Sequence, residues 1–204
     1  MSLPPARETV TAHRAGTVAI VGRPNVGKST LLNRLVGVKL SITSSKPQTT
    51  RQRITGIVTR ATGQVIFVDT PGYQTAHRSP LNQAMNRSVT ASLQETDVII
   101  WVVEALKYDA RDEAVARLLP PSVPVILAIN KTDAVKEKNL LLPFLSRLSQ
   151  ERKFEAIIPV SAAKGTQVDD LLDTIVPLLP EAPPPYDPDE LTTVNERVLA
   201  AELL

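Results

Sequence analysis

The chain is 204 residues long, 43% hydrophobic and 22% charged, enough for one ordinary domain of roughly 150–200 residues and little besides. Its 23 Lys and Arg against 21 Asp and Glu leave a net charge of +2, which argues against a general nucleic-acid glove and against an enzyme built for strongly acidic substrates. Cysteine is absent, excluding a disulfide framework and a thiolate zinc site, and Met1–Gly16 lacks the apolar core of a secretion signal.

The longest apolar runs, 98–103 and 123–129, fall far short of the roughly 20 residues that span a bilayer. A cytoplasmic protein is expected, with any contact at the inner-membrane face peripheral.

Along the chain, short runs rich in β-branched residues alternate with amphipathic ones. TVAIVG (17–22) precedes KSTLLNRLVG (28–37), QVIFVD (64–69) precedes PLNQAMNRSVTASLQE (80–95), and DVIIWVVE (97–104) precedes DEAVARLL (112–119). VPVILAIN (123–130) then precedes NLLLPFLSRLSQ (139–150), and EAIIPVS (155–161) precedes VDDLLDTIVPLL (168–179). Continuous apolar strands separated by helices predict an α/β domain, a doubly wound, mostly parallel sheet with helices on both faces. RITGIVTR (53–60), joined by ATG to QVIFVD, predicts a hairpin and hence one antiparallel edge strand. The expected organisation is a flexible segment over 1–15, the domain over 16–180, a Pro-rich linker over 181–190, and a last helix over 191–204 with a capping box from Thr192 or Thr193 to Glu196. A lone helix of that length is marginal, so the chain is expected to stop inside a second domain or this helix to dock on a partner.

GRPNVGKS (Gly22–Ser29) fits G-x-x-x-x-G-K-[ST] directly after a strand and directly before a helix, the context in which this motif cradles phosphates. Gly22 and Gly27 allow backbone geometry and close approach that side chains would obstruct. Asn25, Val26, Gly27, Lys28, Ser29 and Thr30 are therefore assigned to a nucleotide: N–H groups on the β-phosphate at the positive helix end, the Lys28 charge on the β- and γ-phosphates, and the Ser29 hydroxyl on Mg²⁺. In VIFVDTPG, Asp69 ends a strand and is placed to hold Mg²⁺ through its water shell, while the Gly72 N–H meets the γ-phosphate. Loss of that phosphate would relax the loop 72–78, the behaviour of a switch.

NKTD (130–133) ends another strand. One carboxylate can accept both the N1–H and the 2-amino group of guanine, and adenine offers neither, so Asp133 selects guanine; polar pairing of this kind discriminates by about 10⁴–10⁵. Asn130 is expected to tie this loop to the phosphate loop, and the Lys131 stem to lie over the base. In SAAK (161–164), Ser161, Ala162 and Ala163 complete the base site, with the Ala162 N–H donating to the guanine 6-oxo group.

With G-R-P-N-V-G-K-S, D-T-P-G, N-K-T-D and S-A-A-K in this order, the chain resembles the translation-factor-related GTPases. VKLSITSSKPQTTRQRITGI and the tail PPPYDPDELTTVNERVLAAELL narrow the resemblance to the Era family of ribosome-assembly GTPases. It implies a G domain of the P-loop GTPase fold and a slow, Mg²⁺-dependent hydrolysis of GTP to GDP and phosphate. It also implies that Thr50, with Thr49 as second choice, is the first-switch threonine on Mg²⁺, so that the catalytic set is Lys28, Thr50 and Gly72 and the metal set Ser29, Thr50 and Asp69. Tyr73 stands where other GTPases keep a water-positioning Gln; neither Gln74 nor His77 replaces it. Relatives with Asn at the position of Asn25 recruit K⁺ beside the phosphates, implying the same here. The family carries a C-terminal KH-type domain that grips 16S rRNA near its 3′ end and so engages the small ribosomal subunit; no G-x-x-G follows Pro180, so the chain is expected to end at that domain's first helix. A monomer is expected. The readings left beside a small-subunit GTPase are a guanine-nucleotide sensor without hydrolysis and a related GTPase of large-subunit assembly or tRNA modification.

Overall fold

The computed structural model describes residues 13–37, 54–69 and 93–187. Its six strands are β1 (Arg14–Val21), β2 (Ile54–Arg60), β3 (Gly63–Asp69), β4 (Val98–Glu104), β5 (Val125–Asn130) and β6 (Ala156–Pro159). They form one sheet in the order β2-β3-β1-β4-β5-β6. Every neighbouring pair is parallel except β2 with β3, as the hairpin predicts.

Alternation along each strand divides the core between the two faces. Val18 and Ile20 of β1, Val98, Ile100 and Val102 of β4, and Ile126 and Ala128 of β5 pack with α1 (Lys28–Val36) and α4 (Val168–Ile175). Ala19, Val21, Ile99, Trp101, Val103, Leu127 and Ile129 point the other way, against Val115 of α2 (Ala110–Ala116) and Phe144 and Leu148 of α3 (Leu141–Glu151). Each fully buried aliphatic side chain contributes about 1.5–3 kcal/mol, and β4 and β5 are buried along their whole length. Both therefore lack the polar face of a surface strand.

Element ends differ from expectation where capping or pairing decides them. The helix expected over 112–119 runs Ala110–Ala116 because Asp109 and Asp112 form a capping box ahead of it. The helix expected over 168–179 gives way to a 3₁₀ turn at Val176–Leu178, at Pro177, which cannot donate to the helical ladder. β1 begins at Arg14, inside the segment 1–15 expected to lie outside the domain, because Arg14, Ala15 and Gly16 pair with Gly63, Gln64 and Val65.

The start of the Pro-rich linker is also held. Pro180 O accepts from the Ala15 N–H at 3.1 Å and the Ala182 N–H donates to His13 O at 3.1 Å. Further on, the fully buried Gln64 side chain accepts from the Tyr186 N–H and donates to Tyr186 O, both at 3.0 Å. Most of the helix expected over 80–95 and all of that expected over 191–204 lie outside the described residues.

Candidate nucleotide site

The parallel strands β1, β3, β4, β5 and β6 share a direction, so the segments following them gather at one end of the sheet, where open α/β sheets bind ligands. The loop after β1 turns through Gly22 (φ 155°) and Gly27 (φ 100°). A Cβ at Gly22 would run into Val102 O, and one at Gly27 into the Asn130 amide. Asn25, exposed, also takes a left-handed conformation with φ 65°.

Gly27 caps α1 and makes no side-chain cap hydrogen bond. The leading N–H groups of a helix have no intrahelical partners, which makes this end a place for an anion. Lys28 is in the first turn, only 7% exposed, and its Nζ donates to Arg23 O at 3.1 Å. Ser29 and Thr30 follow in the same turn. Asp69 ends β3, with its backbone paired to Ile20 of β1. A serine hydroxyl in the first helical turn and an aspartate ending the adjacent strand belong to the hard-oxygen donor class that Mg²⁺ takes, so these residue types fit the ion. The Asp69 side chain, Thr49, Thr50, Gly72, Tyr73, Gln74 and His77 lie outside what the structure describes.

Asn130, 2% exposed, joins the loops as expected: its Nδ2 donates to Val26 O at 2.8 Å and its Oδ1 accepts the Ala162 N–H at 3.0 Å. That second bond engages a donor assigned above to the base. The Ala162 N–H assigned to a guanine 6-oxo group donates to Asn130, because the side chain that braces the loops arrives within hydrogen-bond distance of it. Ser161 Oγ donates to Asp133 Oδ1 at 2.6 Å and itself accepts the Lys164 N–H at 3.1 Å. The Asp133 carboxylate is thus held from the SAAK loop. Thr132 Oγ1 donates to Val160 O at 2.8 Å, fastening the NKTD turn to the chain that leaves β6.

Five residues that sequence reading passed over also shape the site. Arg34, in the last turn of α1, donates to Ala162 O at 3.1 Å and Ala163 O at 2.7 Å, so the phosphate helix carries the base loop. Arg23 Nε reaches Asp112 Oδ2 at 3.1 Å, and its guanidinium lies 3.7 Å from Glu104 Oε2. Glu104 also meets Lys107 at 2.6 Å and Lys131 at 2.8 Å. Burial acts to raise the Glu104 carboxyl, but hydrogen bonds and charge from Lys107 and Lys131 hold it below its ordinary value. Burial pushes Asp112 up, against the pull of Arg23. The one sequence sign was Glu104 itself, a carboxylate closing an otherwise apolar strand.

A family model described as 50S ribosome-binding GTPase matches residues 17–131. The chain belongs to this GTPase family. It is 53% identical to GTPase Era of Nitrosomonas eutropha over 96% of its own length and 50% identical to GTPase Era of Chromobacterium violaceum over 96%. The chain spans 66% of the length of each of these relatives. Among solved structures, a variant of Aquifex aeolicus Era bound to GDP and AlF₄⁻ aligns with TM-score 0.87 and 40% identity over 93% of this chain and 65% of that one. Era in complex with MgGDPNP and nucleotides 1506–1542 of 16S ribosomal RNA aligns with TM-score 0.88 and 40% identity, covering 94% and 65%. The Era resemblance therefore extends over nearly the whole chain. The G domain of the Thermotoga maritima FeoB iron transporter, at 23% identity and TM-score 0.60, shares the fold.

Proposed function

We propose that this chain is the guanine-nucleotide switch of a ribosome-assembly GTPase, hydrolysing GTP to GDP and phosphate in the service of small-subunit assembly and 16S rRNA maturation. The observation that carries the guanine reading is the hydrogen-bonded frame in which Ser161 holds Asp133 and Asn130 joins the SAAK loop to the phosphate loop. In this reading Asp133 accepts the guanine N1–H and 2-amino protons, and the Lys131 stem covers the base. Lys28 and the N–H groups of 25–30 hold the phosphates, and the Gly72 N–H meets the γ-phosphate. The Ala163 N–H, next along the backbone from the donor that Asn130 uses, then serves the 6-oxo group.

Ser29, Thr50 and, through water, Asp69 would hold Mg²⁺, which when bound would supply charge neutralisation to the phosphates. Water adds to the γ-phosphorus as the bond to the β–γ bridging oxygen breaks, giving GDP and inorganic phosphate. Lys28 offsets charge developing on the phosphate oxygens. With Tyr73 in place of a water-positioning Gln, intrinsic turnover is slow, and Asn25 would hold a K⁺ that could supply part of the missing charge.

The 16S rRNA fragment in the Era complex favours the small subunit over the large one named in the family description. The rRNA contact belongs to a KH-type domain following the linker, in a monomeric cytoplasmic protein whose meeting with a membrane is peripheral; among the described residues no helix is long and apolar enough to cross one.

Parallel titrations with GTP and ATP test the assignment. GTP is expected to bind at least about 10⁴-fold more tightly, and Asp133→Asn to shift preference toward xanthine nucleotides. Equal capture of ATP would contradict the guanine reading, and binding without phosphate release in the presence of small subunits would favour a sensor.

A further inference from the structure

Strand β4 reads VIIWVVE, and all seven residues are buried. Glu104 is a charge at the end of a core strand, 9% exposed, where an unpaired carboxylate would be strongly disfavoured. Lys107 is the local partner, three residues on, with its side chain 69% exposed. The others come from the two loops of the nucleotide site: Lys131 at 2.8 Å and Arg23 at 3.7 Å.

Backbone geometry makes this meeting reproducible. Glu104 lies opposite Asn130 in the β4–β5 register, and the Ala105 N–H donates to Asn130 O at 2.8 Å. Lys131 then adopts a left-handed backbone, φ 63°, from which its ammonium reaches the carboxylate. Arg23 is fixed from its far side by Asp112, whose side chain is fully buried. One carboxylate therefore stands between a cation of the base loop and a cation of the phosphate loop.

We infer that Glu104 is a positioning residue for the purine: by holding the Lys131 ammonium it lays the lysine stem along the base plane, and through Arg23 it ties that stem to the phosphate loop. The inference rests on the guanine-nucleotide reading above. Asn130 joins the same loops by neutral hydrogen bonds; Glu104 joins them by charge. Exposed ion pairs contribute little, but removing the partner of a buried charge is strongly felt, and here the shared carboxylate is on the buried side.

The test is a double-mutant cycle read by GDP affinity. Glu104→Gln is expected to weaken GDP binding roughly tenfold, the scale of one charged hydrogen bond discounted for the partly exposed lysine. In a Lys131→Met background the same change should cost less than about twofold. Because the stem covers any purine while Asp133 reads its edge, the preference for GDP over IDP should stay within about twofold of wild type, which general loosening of the loop would not preserve. Unchanged affinity in Glu104→Gln, or equal losses with and without Lys131, overturns the assignment. Should Glu104→Gln lose its native circular dichroism, Glu104→Asp, which keeps the charge but withdraws it by one methylene, carries the same cycle. A wild-type chain that binds no guanine nucleotide brings down the reading of the site itself, a different result from either.

Discussion

Asn130 spends both ends of a small amide on joining three loops, donating one hydrogen bond to Val26 O and accepting one from the Ala162 N–H. Its carboxamide was legible as a brace from the NKTD motif, yet which N–H it would engage was not, because that depends on how closely the SAAK turn approaches it in space. Arg34 and Arg23 were silent for the same reason: a basic residue in a helix or loop shows its partner only after folding. The residues that motif spacing did identify share a different property. Their roles need a backbone conformation or a functional group at a fixed offset, as with Gly22, Gly27 and Lys28 in the phosphate loop. Asn25 belongs to both groups, since its left-handed backbone and exposure are local while the ion assigned to it is not. That assignment predicts faster GTP turnover in KCl than in NaCl at equal ionic strength. Phosphate-release rates that coincide in the two salts would remove K⁺ from the site.

Helix α2 shows how one cap sets the boundary of an element. The Asp109 carboxylate accepts the Arg111 N–H at 2.8 Å, and the Asp112 carboxylate accepts the Asp109 N–H at 3.1 Å. A capping box usually reads as Ser or Thr followed three residues later by Glu or Gln; this Asp–Asp version does not announce itself, so periodicity alone started the helix too late. Asp109→Ala is expected to lower stability by about 1 kcal/mol at neutral pH, measured by urea denaturation. Hydrogen bonds from Arg111 hold the Asp109 carboxyl down at about 2, against an ordinary 3.8. A depressed acid stabilises the fold above its unfolded value and loses that contribution as pH falls through its folded one. The gap between wild type and Asp109→Ala should therefore be fully present above about pH 4 and shrink as pH approaches 2; a gap that widened on acidification would contradict the cap. The strands were more legible than the helices, because continuous β-branched runs buried on both faces leave little choice of element, whereas their order across the sheet follows from crossovers that no local pattern records.

For the molecule as a whole, the end of the sheet away from the phosphate loop carries a second fastening. Gln64, at the start of β3, pairs with both backbone groups of Tyr186 and also donates to Thr59 Oγ1 at 2.9 Å. Composition marked 181–190 as a linker, since prolines can neither join a sheet interior nor continue a helix, but a buried glutamine reaching across the fold left no trace in the pattern. Gln64→Ala is expected to raise hydrogen exchange at the Tyr186 amide about five- to tenfold while the amides of β4 and β5 stay protected. A Tyr186 amide that exchanges at the unprotected rate in the wild-type chain would show that the fastening does not hold in solution. The same strand, β3, runs from this mooring to Asp69, about 17 Å away at the usual rise per residue. A module fused after Asp187 is accordingly leashed from Tyr186 rather than from Pro180. Its effective concentration at the nucleotide face is governed by the length of chain beyond that anchor, and releasing Gln64 would lengthen the leash without altering a single contact around the phosphates.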